Sequence, residues 1–260
     1  MTDLLDASIV ALRTNHDQLE KVITALSPED LTRQSGATDW TVAQVLSHLG
    51  SGSELTYARL APAVAGEPVP DIDNQAVWDR WNAMSPEDQA AGFLQRHGEL
   101  VEVLEGLDDE QRKTITVDLG FLPDPSTLET FVGMRLNETT AHAWDVRVAF
   151  DPAAGIEPTS AGLVVEHLAN GLGFMLDFAA RPQSLQQPAT LALDGYGISF
   201  ADTVTLTVGT PQDATATFHG PLEAAVRMLS GRLRPEVTPE GVEVTGNVTL
   251  DDLRPVFPGY

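Results

Sequence analysis

The chain has 260 residues, 38 acidic against 15 basic ones, a net charge of −23 and no cysteine. The length suits two ordinary domains or one large one. The missing cysteine excludes disulfides, thiolate metal sites and a cysteine nucleophile, and the acidity argues against nucleic acid or anionic membrane as a partner.

No apolar run approaches the length of a membrane-spanning helix. The N-terminus, with Asp3, Asp6 and His16 in an amphipathic pattern, lacks the basic start and apolar block of a signal peptide. A cytoplasmic protein is expected.

Residues 3–26 read as a first helix, with Leu5, Ile9, Leu12, Leu19, Val22 and Leu26 near helical spacing. Ser27 and Pro28 open a short capped turn of helix, and "GATDW" is a loop. A second long helix is predicted from Val42 to about Ala61. Its start is well marked, since Thr41 and Gln44 make a capping box and Trp40 can staple onto Val45. "GEPVPDIDNQ" is a Pro-rich break, and Trp78 and Trp81 read as packing residues there. A third helix is expected over 85–106, capped by Ser85, with Pro86 at its first position and Glu87 and Asp88 at its positive end. "TVDLGFLPDPST" reads as a loop. A fourth helix follows over about 127–150, with Ser126 and Glu129 as its capping box. "DPAAGIEP" has the punctuation of a domain linker.

The period then changes. After a helix at about 159–180, "TLALDGYGISF", "TVTLTVG" and "ATATFHG" alternate as antiparallel strands do. "GYG" is a turn between strands. "GPLEAAVRMLSGR" is a helix with Pro221 at its first position and Gly231 near its end, "GVEVTGN" a further strand and "TLDDLRPVF" a short closing helix. The fold class is α+β in two domains: a four-helix domain over 1–152, then a smaller α+β domain with an antiparallel sheet over 158–260.

Two helices carry groups capable of chemistry. On the second, His48 shares a side with Val45, Leu49 and Gly52, so it points into or beside the bundle core. Taken alone it reads as a buried, hydrogen-bonded histidine. On the fourth, Arg135, Glu138, His142 and Asp145 form one stripe, nearly opposite the apolar Leu128, Val132, Leu136, Ala143 and Val146. A solvated face of weak ion pairs is one reading. The other is a metal site. Phe131, Met134, Ala141 and Val148 flank the polar stripe, which suits a helix buried on two sides. A carboxylate and a histidine at i and i+4 can reach one ion. Bundles complete such sites from a facing helix, and His48 is the best third donor. His16, His97, His167 and His219 lack partners at ligand spacing and read as structural or exposed.

These motifs carry a resemblance. "W-T-V-x-x-V-L-x-H-L" around His48, "R-L-x-E-x-x-x-H-x-W-D-V" around His142 and "WDRWNAMSPED" between them resemble the mycothiol-dependent maleylpyruvate isomerase family, within the wider DinB-like metal-binding bundles. The helix-plus-strand second half is similar to that family's sterol-carrier-like C-terminal domain. The resemblance implies that His48, Glu138 and His142 bind a divalent metal, usually zinc, whose open position takes the thiol mycothiol. Zinc lowers the pKa of such a thiol, and a thiolate can add to an electron-poor double bond, allow rotation and leave. The resemblance further implies an arginine of the C-terminal domain for the substrate carboxylates. Arg232 is the best match, with Arg227 and Arg234 as alternatives. Asp145 would orient a ligand or Arg135. The implied partners are a small thiol and a small electrophile, in a monomer or homodimer. A metal protein without catalysis, and a carrier of hydrophobic ligands through the C-terminal domain, are the rival readings.

Overall fold

The computed structural model describes residues 3–259, and the chain divides into two compact units, Met1–Asp151 and Pro152–Tyr260.

The first unit holds helices α1 (Leu4–Ile23), α2 (Pro28–Leu31), α3 (Val42–Ala65), α4 (Asn74–Asn82), α5 (Pro86–Glu105) and α6 (Asp109–Thr114), a two-stranded ribbon β1 (Thr116–Val117) and β2 (Ser126–Thr127), and helix α7 (Leu128–Val148). Its four long helices form a ring: α1 packs on α5, α5 on α3, α3 on α7 and α7 on α1. Leu19, Val45, Leu46, Leu49, Phe93 and Val146 are buried between them. Each such side chain contributes about 1.5–3 kcal/mol of transfer free energy, which outweighs the modest helix propensities of individual residues.

Sequence expectation and structure differ at several ends. α3 runs through Pro62 to Ala65 and stops at Gly66, whose φ of 70° is the left-handed cap that glycine adopts without strain. The Pro-rich break contains α4, started by Asp73, whose carboxylate accepts from the Ala76 N–H at 3.1 Å. α4 exists to bury Trp81, whose ring lies against two glycines. A Cβ at Gly50 would approach it to 2.3 Å and one at Gly92 to 2.9 Å. The cap of α7 is Thr127, accepting from Thr130 N–H at 3.2 Å, because Ser126 is engaged in the ribbon opposite Val117.

The second unit contains α8 (Pro158–Asn170), α9 (Phe174–Ala179), β3 (Ala189–Leu193), β4 (Tyr196–Phe200), β5 (Val204–Val208), β6 (Ala216–His219), α10 (Leu222–Leu229), β7 (Glu243–Gly246) and α11 (Leu250–Leu253). The single helix expected over 159–180 is two, separated by Gly171 and Gly173, which favour the break. The sheet order is β5-β4-β3-β6-β7. It is mixed, which corrects the antiparallel expectation: β3 and β6 run parallel, while the other pairs are antiparallel. Period-two alternation marks a strand but not its direction. Direction is set here by the link over residues 209–215, which takes the chain from edge strand β5 to the far side of β3.

Candidate metal centre

The site is built where a loop, α3 and α7 meet. Residues 32–41 fold tightly: Gln34 Nε2 donates to the carbonyls of Ala37 and Trp40 at 2.6 and 3.0 Å, and Ser35 Oγ to Trp40 O at 2.7 Å. Gly36 N–H donates to Asp145 O at 2.8 Å. A Cβ at Gly36 would lie 2.8 Å from both Cα and Oδ1 of Asp145, so only glycine lets this loop rest on α7. The loop leads into the Thr41–Gln44 capping box, with Thr41 N–H to Gln44 Oε1 at 2.8 Å and Gln44 N–H to Thr41 Oγ1 at 3.3 Å. That box fixes the phase of α3 and therefore the direction of His48.

On α7, the stripe of Arg135, Glu138, His142 and Asp145 is not a solvated face. Arg135, His142 and Asp145 are buried, and only Glu138 keeps about a quarter of its side chain exposed, at 26%. His48 Nε2 lies 3.1 Å from Glu138 Oε2, and His142 Nε2 lies 3.6 Å from the same oxygen. One donor atom from each of the three residues falls within 4.8 Å of the others. Donors about 2.0–2.1 Å from a tetrahedral ion stand about 3.3 Å apart, so the observed spacings bracket those of a small divalent cation.

The hydrogen bonds set the protonation. A carboxylate only accepts, so His142 Nδ1 donates to Asp145 Oδ2, 2.8 Å away. In the neutral ring this leaves the Nε2 lone pair directed at Glu138, the arrangement of a metal-ligating histidine with a carboxylate behind it. Burial works to raise the Glu138 pKa, but the His48 hydrogen bond and the charges of His142, His48 and Arg135 outweigh it and hold the carboxyl down at about 2. Glu138 is therefore an anion at every physiological pH.

Arg135 braces this helix from inside. Its Nη2 donates to Leu49 O and its Nε to Thr139 Oγ1, both at 3.3 Å. Burial lowers its pKa to about 10, against the opposing pull of Glu138, so it stays charged. Gly52 makes the space it occupies: a Cβ there would sit 2.6 Å from Arg135 Nη1. Trp40 covers both site histidines, its ring centroid 5.0 Å from His48 and 5.8 Å from His142. Sequence reasoning gave Trp40 only a staple role, and the motif around His48 was the sole signal for more.

The remaining histidines are placed as follows. His16 and His97, assigned no partner from spacing, stack at 5.2 Å with their Nδ1 atoms 3.2 Å apart, and His97 Nε2 lies 3.4 Å from Thr139 Oγ1. His167 is buried, and exposed His219 meets Thr245 Oγ1 at 2.9 Å. In the second unit, Arg232 is buried and donates Nη1 to Ser230 O at 3.0 Å. Arg227 grips Glu223 through Nε and Nη2 at 2.9 and 3.0 Å and reaches Val237 O at 2.9 Å. Arg234 pairs with Glu236 at 3.0 Å. Among the described residues, no helix is long and apolar enough to cross a membrane.

Comparison with known proteins gives the family. Residues 12–147, just over half of the chain, match the model described as the mycothiol maleylpyruvate isomerase N-terminal domain. No curated protein matches. Two solved structures share the fold at a TM-score of 0.66, each over 100% of both chains: the mycothiol-dependent maleylpyruvate isomerase, at 15% identity, and a histidine-to-alanine mutant described under the same name, at 14%. The span matched by the family model contains His48, Glu138, His142 and Asp145, and the chain belongs to the mycothiol maleylpyruvate isomerase N-terminal domain family.

Proposed function

We propose that the protein is a divalent-metal enzyme that uses mycothiol, or a similar small thiol, either to isomerise a small electrophile or to join that thiol to it through sulfur. The observation that carries this reading is the convergence of His48, Glu138 and His142 within 4.8 Å, with Asp145 accepting from the rear of His142. Two imidazoles and one carboxylate are a donor set suited to zinc, and three protein donors are the number found in catalytic sites. When bound, such an ion supplies Lewis acidity and holds a thiol as thiolate near neutral pH.

The chain's own groups have separate tasks. Asp145 fixes the tautomer and angle of His142. Glu138 provides the negative charge. Arg135 ties α7 to the Leu49 carbonyl of α3 and so holds the two donor-bearing helices in register. Trp40 lies against both imidazoles. Arg232 is the proposed partner of a substrate carboxylate.

The test is calorimetric titration of zinc-loaded protein with mycothiol, beside the His142→Ala variant and Arg232→Ala. The reading expects thiol binding that vanishes in His142→Ala, and isomerase turnover of maleylpyruvate that falls in Arg232→Ala with thiol binding kept. Zinc-loaded protein with no affinity for thiols would overturn it.

A further inference from the structure

The groove between α3 and α7 continues beyond the three donors. The helices run antiparallel: Glu138 meets His48, while Arg135, one turn earlier on α7, meets Leu49 and Gly52 on α3. Farther along, a cavity of about 200 Å³ lies between them, with Leu55, Phe131 and Met134 as apolar walls and with Glu138, Arg59 and Asn74 also in its lining. Arg59 is eleven residues beyond His48, about 16 Å along the helix. The cavity therefore runs from the donor cluster, where Arg135 also lines it, to a second guanidinium, that of Arg59.

Two polar groups there are not tied to an oppositely charged or hydrogen-bonding side chain. Arg59 donates to Asp118 O at 3.3 Å, a backbone carbonyl. Asp118 gives its carboxylate to the Gly120 N–H instead, at 2.7 Å, and among the described residues no carboxylate lies within ion-pair distance of Arg59. Arg13, Arg80, Arg112, Arg227 and Arg254 each hold an Asp or Glu. Asn74 Oδ1 is likewise buried without a hydrogen-bond partner. A buried polar atom left unpaired is costly, and an amide can turn either edge toward a ligand.

We infer that this cavity binds the body of a small organic acid, with its carboxylate on Arg59, its chain against Leu55, Phe131 and Met134, a polar substituent at Asn74, and its far end at Glu138. The volume is below the ~300–1,000 Å³ typical of sites for drug-sized ligands, so the occupant is a small acid rather than a bulky cofactor. The inference deepens the proposed function by placing the substrate's distal carboxylate in the first unit, and it rests on that reading only at the Glu138 end. Capture of an anion by Arg59 needs no metal.

The experiment measures binding of hexanoate and of neutral hexanamide to the full-length chain by calorimetry at pH 7.5, metal-free and zinc-loaded, in wild type, Arg59→Gln, Asn74→Ala and His142→Ala. Expected is hexanoate binding in the metal-free protein, at least about tenfold weaker in Arg59→Gln, weaker by a smaller factor in Asn74→Ala, and always tighter than hexanamide. Thermal melts of each variant identify one that fails to fold, and Arg59→Lys, which keeps the charge but not the planar fork, should fall between. Equal hexanoate affinity in wild type and Arg59→Gln, or no binding in either metal state, overturns the inference. Binding lost in His142→Ala but kept in Arg59→Gln puts the carboxylate on the metal, which overturns the inference and leaves the proposed function intact. Absence of metal binding would sink the proposed function while Arg59-dependent binding of hexanoate stood.

Discussion

The first unit contains two pairs of neighbouring histidines, and they differ in what surrounds them. His48 and His142 lie with ring centroids 4.7 Å apart, with Glu138 between their Nε2 atoms and Asp145 behind one of them. His16 and His97 are almost as close, at 5.2 Å, but share a contact between nitrogens, and the third polar neighbour is a hydroxyl. Burial keeps both inner imidazoles below the ordinary histidine pKa, with Arg13 adding to it at His16 and Arg135 foremost among the charges at His97. One pair has a carboxylate between its Nε2 atoms, an anion that can neutralise a cation. The other is a neutral core pair. Proximity of histidines does not make a metal site; the carboxylates beside them do.

The most severe way to break this contrast is to remove a donor. His142→Ala should lower zinc affinity by more than 100-fold, measured by competition with a chromogenic chelator, whereas His97→Ala should leave it unchanged. Equal losses would erase the distinction. A gentler change acts on the carboxylate behind the site. Asp145→Asn keeps the shape but loses the charge-assisted bond to His142 Nδ1, and should weaken zinc by about 10–100-fold. An unaltered affinity would deny Asp145 its orienting role.

Packing around the brace can be tested next. Gly52→Ala brings a Cβ to 2.6 Å from Arg135 Nη1 and should cost about 1–3 kcal/mol in urea unfolding. A raised midpoint, the gain of about 0.5–1 kcal/mol that Ala brings to a helix interior, would mean that Arg135 relocates freely.

The smallest effect concerns protons at the inner pair. The folded pKa values of His16 and His97 are lowered, so below the unfolded value of about 6.5 the unfolded chain binds more protons. Stability is therefore fully present above that pH and lost as pH falls below it, by at most about 1.4 kcal/mol per pH unit for each histidine. His97→Leu should flatten the slope of urea midpoint against pH between about 6.5 and 5, and an unchanged slope would assign the loss to other groups.

Much of this arrangement was legible in the sequence, for identifiable reasons. The capping box at Thr41 fixed the face of α3, and Glu138 and His142 stand one turn apart on any helix. The burial of α7 was harder to read. Arg135, Glu138, His142 and Asp145 look like a wet stripe until one sees that Leu49 O, Thr139 and His48 satisfy them. The His16–His97 pair joins residues 81 positions apart, and Arg59 meets its cavity partners through α4 and the loop at Asp118. No local pattern records such meetings. Strand direction in the second unit escaped for a similar reason, since it is fixed by the path of a connection.

The most direct measurement is the metal content of purified, zinc-reconstituted protein by elemental analysis, in wild type, His142→Ala and His97→Ala. About one zinc per chain in wild type and His97→Ala, with none in His142→Ala, is the result predicted by the donor geometry. Zinc absent from all three, or retained in His142→Ala, would contradict it.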